Sequence, residues 1–221
     1  MADLNGGTSG DNRQESRARS IIALVNGQGH LIHPYVKLRI IPSIEVGPMS
    51  AVHGIVVHQT GGKNLESAIS SGRPGIGAHF YVDTDGTVYQ AASIFKKCSH
   101  VGKLKPRCLA EHRCKPDSAK ALQKMVALGK SSSVSPMEYQ KEFPDRYPGN
   151  NDSIGIELVG YHHPEQNVPY PVYDAVTERQ KMILKWLVRT ICSVCKVNSA
   201  EIYRHPVLSW KNPTEALTAE W

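Results

Sequence analysis

Asn151-Asp152-Ser153-Ile154-Gly155-Ile156-Glu157-Leu158-Val159-Gly160 holds a short apolar run broken by a single acid. Successive apolar residues from Ile154 to Val159 have the pattern of a strand covered on both faces, as in a sheet flanked by helices. On strand alternation, Glu157 shares a face with Gly155 and Val159. A carboxylate in such a place is costly unless it is paired, hydrogen-bonded or ligated. Desolvation also raises its pKa toward values useful for proton transfer.

Upstream, Gly54-Ile55-Val56-Val57-His58 is a second buried-type strand, ending in a histidine. Asn64 reads as the N-cap of a short helix with Leu65, Ala68 and Ile69 on one face and Gly72 as its stop. His79–Val82 and Thr87–Gln90 flank Asp83-Thr84-Asp85-Gly86, a strong hairpin signal. Downstream, Thr177 and Gln180 form a capping box. Met182, Ile183, Trp186, Leu187, Ile191 and Val194 then recur at helical spacing. The stretch from about 101 to 150 reads as an insertion with a helix near 118–128 and a Ser-rich segment at 131–135. Residues 201–221 read as a loop punctuated by Pro206 and Pro213. The expected architecture is a single α/β domain over 21–221, a mixed central sheet flanked by helices, with a cleft at the strand ends. Residues 1–20, rich in Gly, Ser, Asp and Arg, read as a disordered leader.

The 221 residues suffice for a sizeable core without disulfide staples. No apolar run approaches the roughly 20 residues of a membrane span, and no secretory signal opens the chain, so no integral membrane association is expected. The net charge of +6 points to an acidic partner: nucleic acid, an anionic surface or an anionic polymer. Lys96, Lys97, Lys103, Lys105 and Arg107 interleave with no aromatic platform, so nucleic acid is not expected. Among the five cysteines, Cys98, Cys108 and Cys114 could hold one disulfide that pins the insertion. Cys192 and Cys195 fall on one helix face and read as small core residues, and His162-His163 as a solvated loop pair.

His58 closing a rigid strand, Glu157 in an apolar one, and His205 in Tyr203-Arg204-His205-Pro206 are the residues that suggest chemistry. Two histidines and a carboxylate could form a zinc site with an open position, although their separations carry no local spacing signature.

The ordered set V-V-H-Q-T (56–60), G-A-H-F-Y-V-D-T-D-G-T-V-Y-Q (77–90), C-S-H-V-G (98–102), N-D-S-I-G-I-E-L-V-G (151–160) and Y-R-H-P (203–206) resembles the type 2 N-acetylmuramoyl-L-alanine amidases. These are zinc enzymes related to peptidoglycan recognition proteins and phage lysozyme-like amidases, and the likeness covers about 50–221. The resemblance implies His58 and His205 as zinc ligands and Glu157 as general base or acid. It places His79 in a strand motif usually structural and His100 along the substrate cleft; both are carried as substrate-binding candidates. For the third ligand, relatives carry Asp or Cys eight to ten residues beyond the second histidine. Here Glu215 and Asn212 stand in that segment, and Glu215 is favoured because Asn212 has no charge to offer. Lys211 matches the relatives' lysine that stabilises charge at the scissile carbonyl.

The implied reaction is zinc-dependent hydrolysis of the amide between N-acetylmuramic acid and L-alanine of the stem peptide, in peptidoglycan or muropeptides. The alternative is a non-catalytic peptidoglycan-binding module of the same fold. Without a classical signal, the chain would be made in the cytoplasm and act in the periplasm or cell wall. The leader and insertion point toward an antibacterial effector of a type VI-like secretion system, for which an immunity protein blocking the cleft is expected.

Overall fold

One seven-stranded sheet brings together residues that lie more than a hundred positions apart in the chain. The computed structural model describes residues 23–70 and 73–221. The leader at 1–20 and the helix stop at Gly72 lie outside the described residues. The strands are β1 (Val36–Leu38), β2 (Gly54–Gly61), β3 (Phe80–Val82), β4 (Val88–Gln90), β5 (Ser153–His163), β6 (Val172–Tyr173) and β7 (Ile202–Arg204). Their order is β7-β2-β5-β3-β4-β1, with β6 added to the far end of β5. The β7, β2, β5 and β3 strands run parallel, β4 pairs antiparallel with β3, and β1 runs parallel to β4. The sheet is therefore mixed, as expected.

The helices are α1 (Leu65–Ser70), α2 (Arg107–Ala110), α3 (Pro116–Ala127), α4 (Ser131–Tyr139), α5 (Glu178–Cys195) and α6 (His205–Leu208). Strand alternation divides the sheet into two differently used faces. Ile55, Val57, Phe80, Val82, Ile154, Ile156 and Leu158 pack against Leu184, Leu187, Val188 and Ile191 of α5. Each fully buried Leu or Ile there contributes about 2 kcal/mol. The α5 helix is placed by its capping box: Thr177 Oγ1 accepts from Gln180 N–H, and Gln180 Oε1 accepts from Thr177 N–H, both at 3.1 Å. Gln180 Nε2 also donates to the Val82 and Val159 carbonyls, tying the first turn to β3 and β5.

The opposite face bears Val56, packed with Val101, Leu104, Tyr147 and Leu208. Residues 101–150 cover this side. They hold three helices and the disulfide Cys108–Cys114, one of the three pairings open to that cysteine trio. Arg107 anchors the segment with two hydrogen bonds to the Glu201 carboxylate, at 2.8 and 3.1 Å, while its guanidinium lies over Phe143 and Tyr147. Cys192 and Cys195 are unpaired and partly buried against the core.

Several local expectations need correction. The Ser-rich segment is the helix α4, with Val134 wholly buried and Ser135 Oγ accepting from Leu104 N–H at 2.9 Å. Residues 201–221 open with a strand and a short helix, because β7 adds beside β2. Strand β5 runs on to His163, so His162 and His163 lie in a ladder with Tyr173 and Val172 rather than in a loop. His58 stands in mid-strand, since β2 continues to Gly61.

Candidate metal centre

Register sets a row of side chains across the sheet. His58 of β2 stands opposite Glu157 of β5, and Glu157 opposite Tyr81 of β3. Arg204 pairs with Val57, so the next residue, His205 at the start of α6, comes level with His58. The turn after α6 returns Glu215 to the same point. His58 Nδ1 lies 2.8 Å from His205 Nδ1 and 3.5 Å from Glu215 Oε1, and His205 Nδ1 lies 2.9 Å from Glu215 Oε1.

The outer ring nitrogens show which atoms carry lone pairs. His205 Nε2–H donates to the Val101 carbonyl at 2.8 Å, leaving Nδ1 to face Glu215. His100 Nε2–H donates to the Ser153 carbonyl at 3.3 Å, so its Nδ1 accepts from His58 Nε2–H at 3.0 Å. That leaves His58 Nδ1 directed at the same point. Two imidazole lone pairs and a carboxylate thus converge, with ligand atoms within 4.8 Å of one another, in a buried site. Such a set requires positive charge between its members, a proton or a metal ion. Its N,N,O chemistry fits zinc, and the partners of His205 and His100 are the outer hydrogen bonds that orient histidine ligands.

Electrostatics agree with the geometry. Burial, reinforced by neighbouring His205, lowers the His58 pKa to about 4, keeping its lone pair free at neutral pH. Burial pushes Glu215 upward, but its close polar contacts with His205 and His58 outweigh it and hold the carboxyl at about 2. Glu157 behaves oppositely. Burial, then the Glu215 charge, raise it to about 8 against the pull of Lys211. Its Oε2 is shut from solvent and has no hydrogen-bond partner among the described residues.

These groups line one cavity of about 340 Å³, which also takes in His100, Tyr173, Lys211 and Asn212. Lys211 is exposed at its edge. Asn212 is already engaged: Nδ2 donates to Pro171 O at 2.6 Å, while Oδ1 accepts from Thr214 N and Oγ1 at 3.0 and 2.9 Å. Glu215, rather than Asn212, stands with the two histidines. His79 is corrected as a substrate-binding candidate. It is wholly buried, Nε2–H donates to Lys96 O at 2.8 Å and Nδ1 accepts from Gly155 N–H at 3.0 Å, so its ring has no free atom. His100 does reach the cavity, but both its nitrogens serve the His58 chain.

Two residues escaped the sequence reading. Gln59, next to His58, donates to Asp174 O at 2.9 Å and accepts from Ala216 N–H at 3.2 Å, pinning the residue after Glu215. Ala216 there has φ +53, a left-handed conformation strained for a non-glycine residue. Tyr173 arrives through β6 and carries no local signal; Gln59 had one in its place beside the histidine.

No curated protein sequence matches the chain. Among solved structures, it is similar to the endolysin N-acetylmuramoyl-L-alanine amidase LysCS from Clostridium intestinale URNW, with 19% identity, 79% of this chain and 84% of that one covered, and a TM-score of 0.44. An AmpD derivative shares 16% identity over 86% of this chain and 93% of that one, with a TM-score of 0.49. AmpDH3 from Pseudomonas aeruginosa, solved with anhydromuramic pentapeptide, shares 14% over 72% and 52%, with a TM-score of 0.47. Residues 48–216, most of the chain, match the family model described as N-acetylmuramoyl-L-alanine amidase. On that match, the chain belongs to the type 2 N-acetylmuramoyl-L-alanine amidase family.

Proposed function

We propose that this amidase hydrolyses the bond between the lactyl group of N-acetylmuramic acid and L-alanine of the stem peptide, with zinc held by His58, His205 and Glu215. The supporting observation is the convergence of two imidazole nitrogens and one carboxylate oxygen beside Glu157. Zinc bound there supplies Lewis acidity toward the amide carbonyl. Glu157 takes the proton of the attacking water and delivers it to the leaving amine, a task suited to a carboxyl raised toward neutrality. Lys211, at the cavity edge, stabilises negative charge developing on the carbonyl oxygen. His100 and Val101 hold the two histidine rings in register. A complete donor set argues against the binding-only reading.

Digestion of purified peptidoglycan followed by mass spectrometry tests this. Free stem peptides with intact glycan are expected. The activity should be lost on chelation, restored by zinc, and reduced at least about 100-fold in Glu157→Gln with zinc still bound. Metal-free protein that binds wall fragments without cleaving them would support the binding module instead.

A further inference from the structure

Tyr173 lines the cavity that holds His58, Glu157, His205, Lys211 and Glu215, yet no step so far uses it. Its position is built by several elements. Strand β6 adds antiparallel to β5 with Tyr173 opposite His162, and the two rings meet at 5.2 Å between centroids. The Tyr173 backbone N–H donates to Thr214 Oγ1 at 3.2 Å, one residue before Glu215. The following carbonyl, of Asp174, accepts from Gln59 Nε2 at 2.9 Å, beside His58. Both sides of the metal centre therefore fix this one tyrosine.

The space for the phenol is also built. Gly61 ends β2 at φ +69, and a Cβ there would come within 2.9 Å of His162 Cδ2 and 3.5 Å of the Tyr173 hydroxyl. Among the described residues, none accepts a hydrogen bond from that hydroxyl. Burial, then the Glu215 and Glu157 carboxylates, raise its pKa further above the ordinary tyrosine value. A phenol that stays protonated acts as a donor, and with no acceptor for it among the described residues an incoming ligand must bring the acceptor oxygen.

We infer that the Tyr173 hydroxyl is a substrate contact, donating a hydrogen bond to a carbonyl or carboxylate oxygen of a muramyl peptide seated beside Glu157. The inference rests on the amidase reading above for the identity of the ligand. Lys211 supplies a mobile cationic donor at the edge; Tyr173 supplies a neutral, rigidly mounted one, which fixes the ligand's orientation at little entropic cost.

Tyr173→Phe removes only the hydroxyl and keeps the ring against His162. Calorimetry of a soluble muramyl peptide with metal-free protein should show about tenfold weaker binding in the variant. In zinc-loaded protein kcat/KM should fall by about the same factor, while a zinc titration gives equal affinity for both proteins. Unchanged peptide binding overturns the inference, as does wild-type protein that binds no muramyl peptide. A parallel loss of zinc affinity also overturns it, since the hydroxyl would then be positioning Glu215. A wild type that binds the peptide without cutting it sinks the amidase reading alone, because the calorimetric comparison still stands.

Discussion

Glu157 is held well above the usual carboxylate range because its strand position leaves it buried beside a second carboxylate. Both strand neighbours are apolar and buried, its Oε2 meets no donor among the described residues, and the charge of the already ionised Glu215 acts on it. This has a consequence for stability that does not depend on catalysis. In the metal-free protein the folded carboxyl titrates near 8, whereas its unfolded reference is 4.5. Between those values the folded state holds a proton that the unfolded chain has released. Stability therefore falls as pH rises through this window and levels above it. Glu157→Gln has no such proton to lose. Urea denaturation of metal-free wild type and variant at pH 5, 6.5 and 8 should show the variant gaining on the wild type at each step. A difference independent of pH would mean that Glu157 is solvated in the folded protein.

At the scale of elements, Gly155 shows how a strand can hold a histidine in place beside the candidate metal ligands. The His100 ring lies directly on β5, where a Cβ at Gly155 would come within 2.8 Å of its Cγ and Nδ1 and within 3.1 Å of Ala78 Cβ. The ring cannot retreat without breaking its bonds to Ser153 O and His58 Nε2. Gly155→Ala should therefore cost about 1–3 kcal/mol of stability and weaken zinc binding by about 10–100-fold. Thermal unfolding and a competitive chelator titration check the two effects; full zinc affinity would show that His100 does not orient His58. Much of the architecture was legible because its signals are local: the Thr177–Gln180 box, the Asp83–Gly86 turn, and the apolar runs of β2 and β5. What was not legible depends on distant partners. Ser131–Ser133 are weak helix formers, and α4 is held by the burial of Val134 and by Ser135 accepting from Leu104 N–H. The row from His205 to Glu157 requires parallel pairing across about a hundred residues, which no spacing in the chain encodes. His79 misled because its motif neighbours the site, while its ring turns into the backbone of β5.

For the whole molecule, the charge first read as a diffuse attraction to acidic partners is concentrated in one part of the chain. Residues 96–130 contain ten basic and two acidic residues, a surplus of eight against six for the full chain, so everything else is slightly acidic. Lys115, Lys120, Lys124 and Lys130 are exposed and form no ion pair among the described residues, whereas Arg107 and Arg113 are paired to Glu111. Lys120 and Lys124 lie one turn apart on α3, so their charges project together from the segment that covers the site face of the sheet. Charge of this kind accelerates encounter with an extended anionic surface and is screened over about 10 Å at 0.1 M salt. It does little for a small ligand already held in the cavity. Hydrolysis of insoluble cell wall should consequently fall several-fold between 20 and 300 mM salt, and fall less steeply in Lys120→Glu/Lys124→Glu. Cleavage of a soluble muramyl peptide should stay nearly constant in both proteins. The pair of substrates makes the comparison decisive: equal salt dependence on both would place the effect at the metal centre, and the basic segment would have no part in reaching the wall.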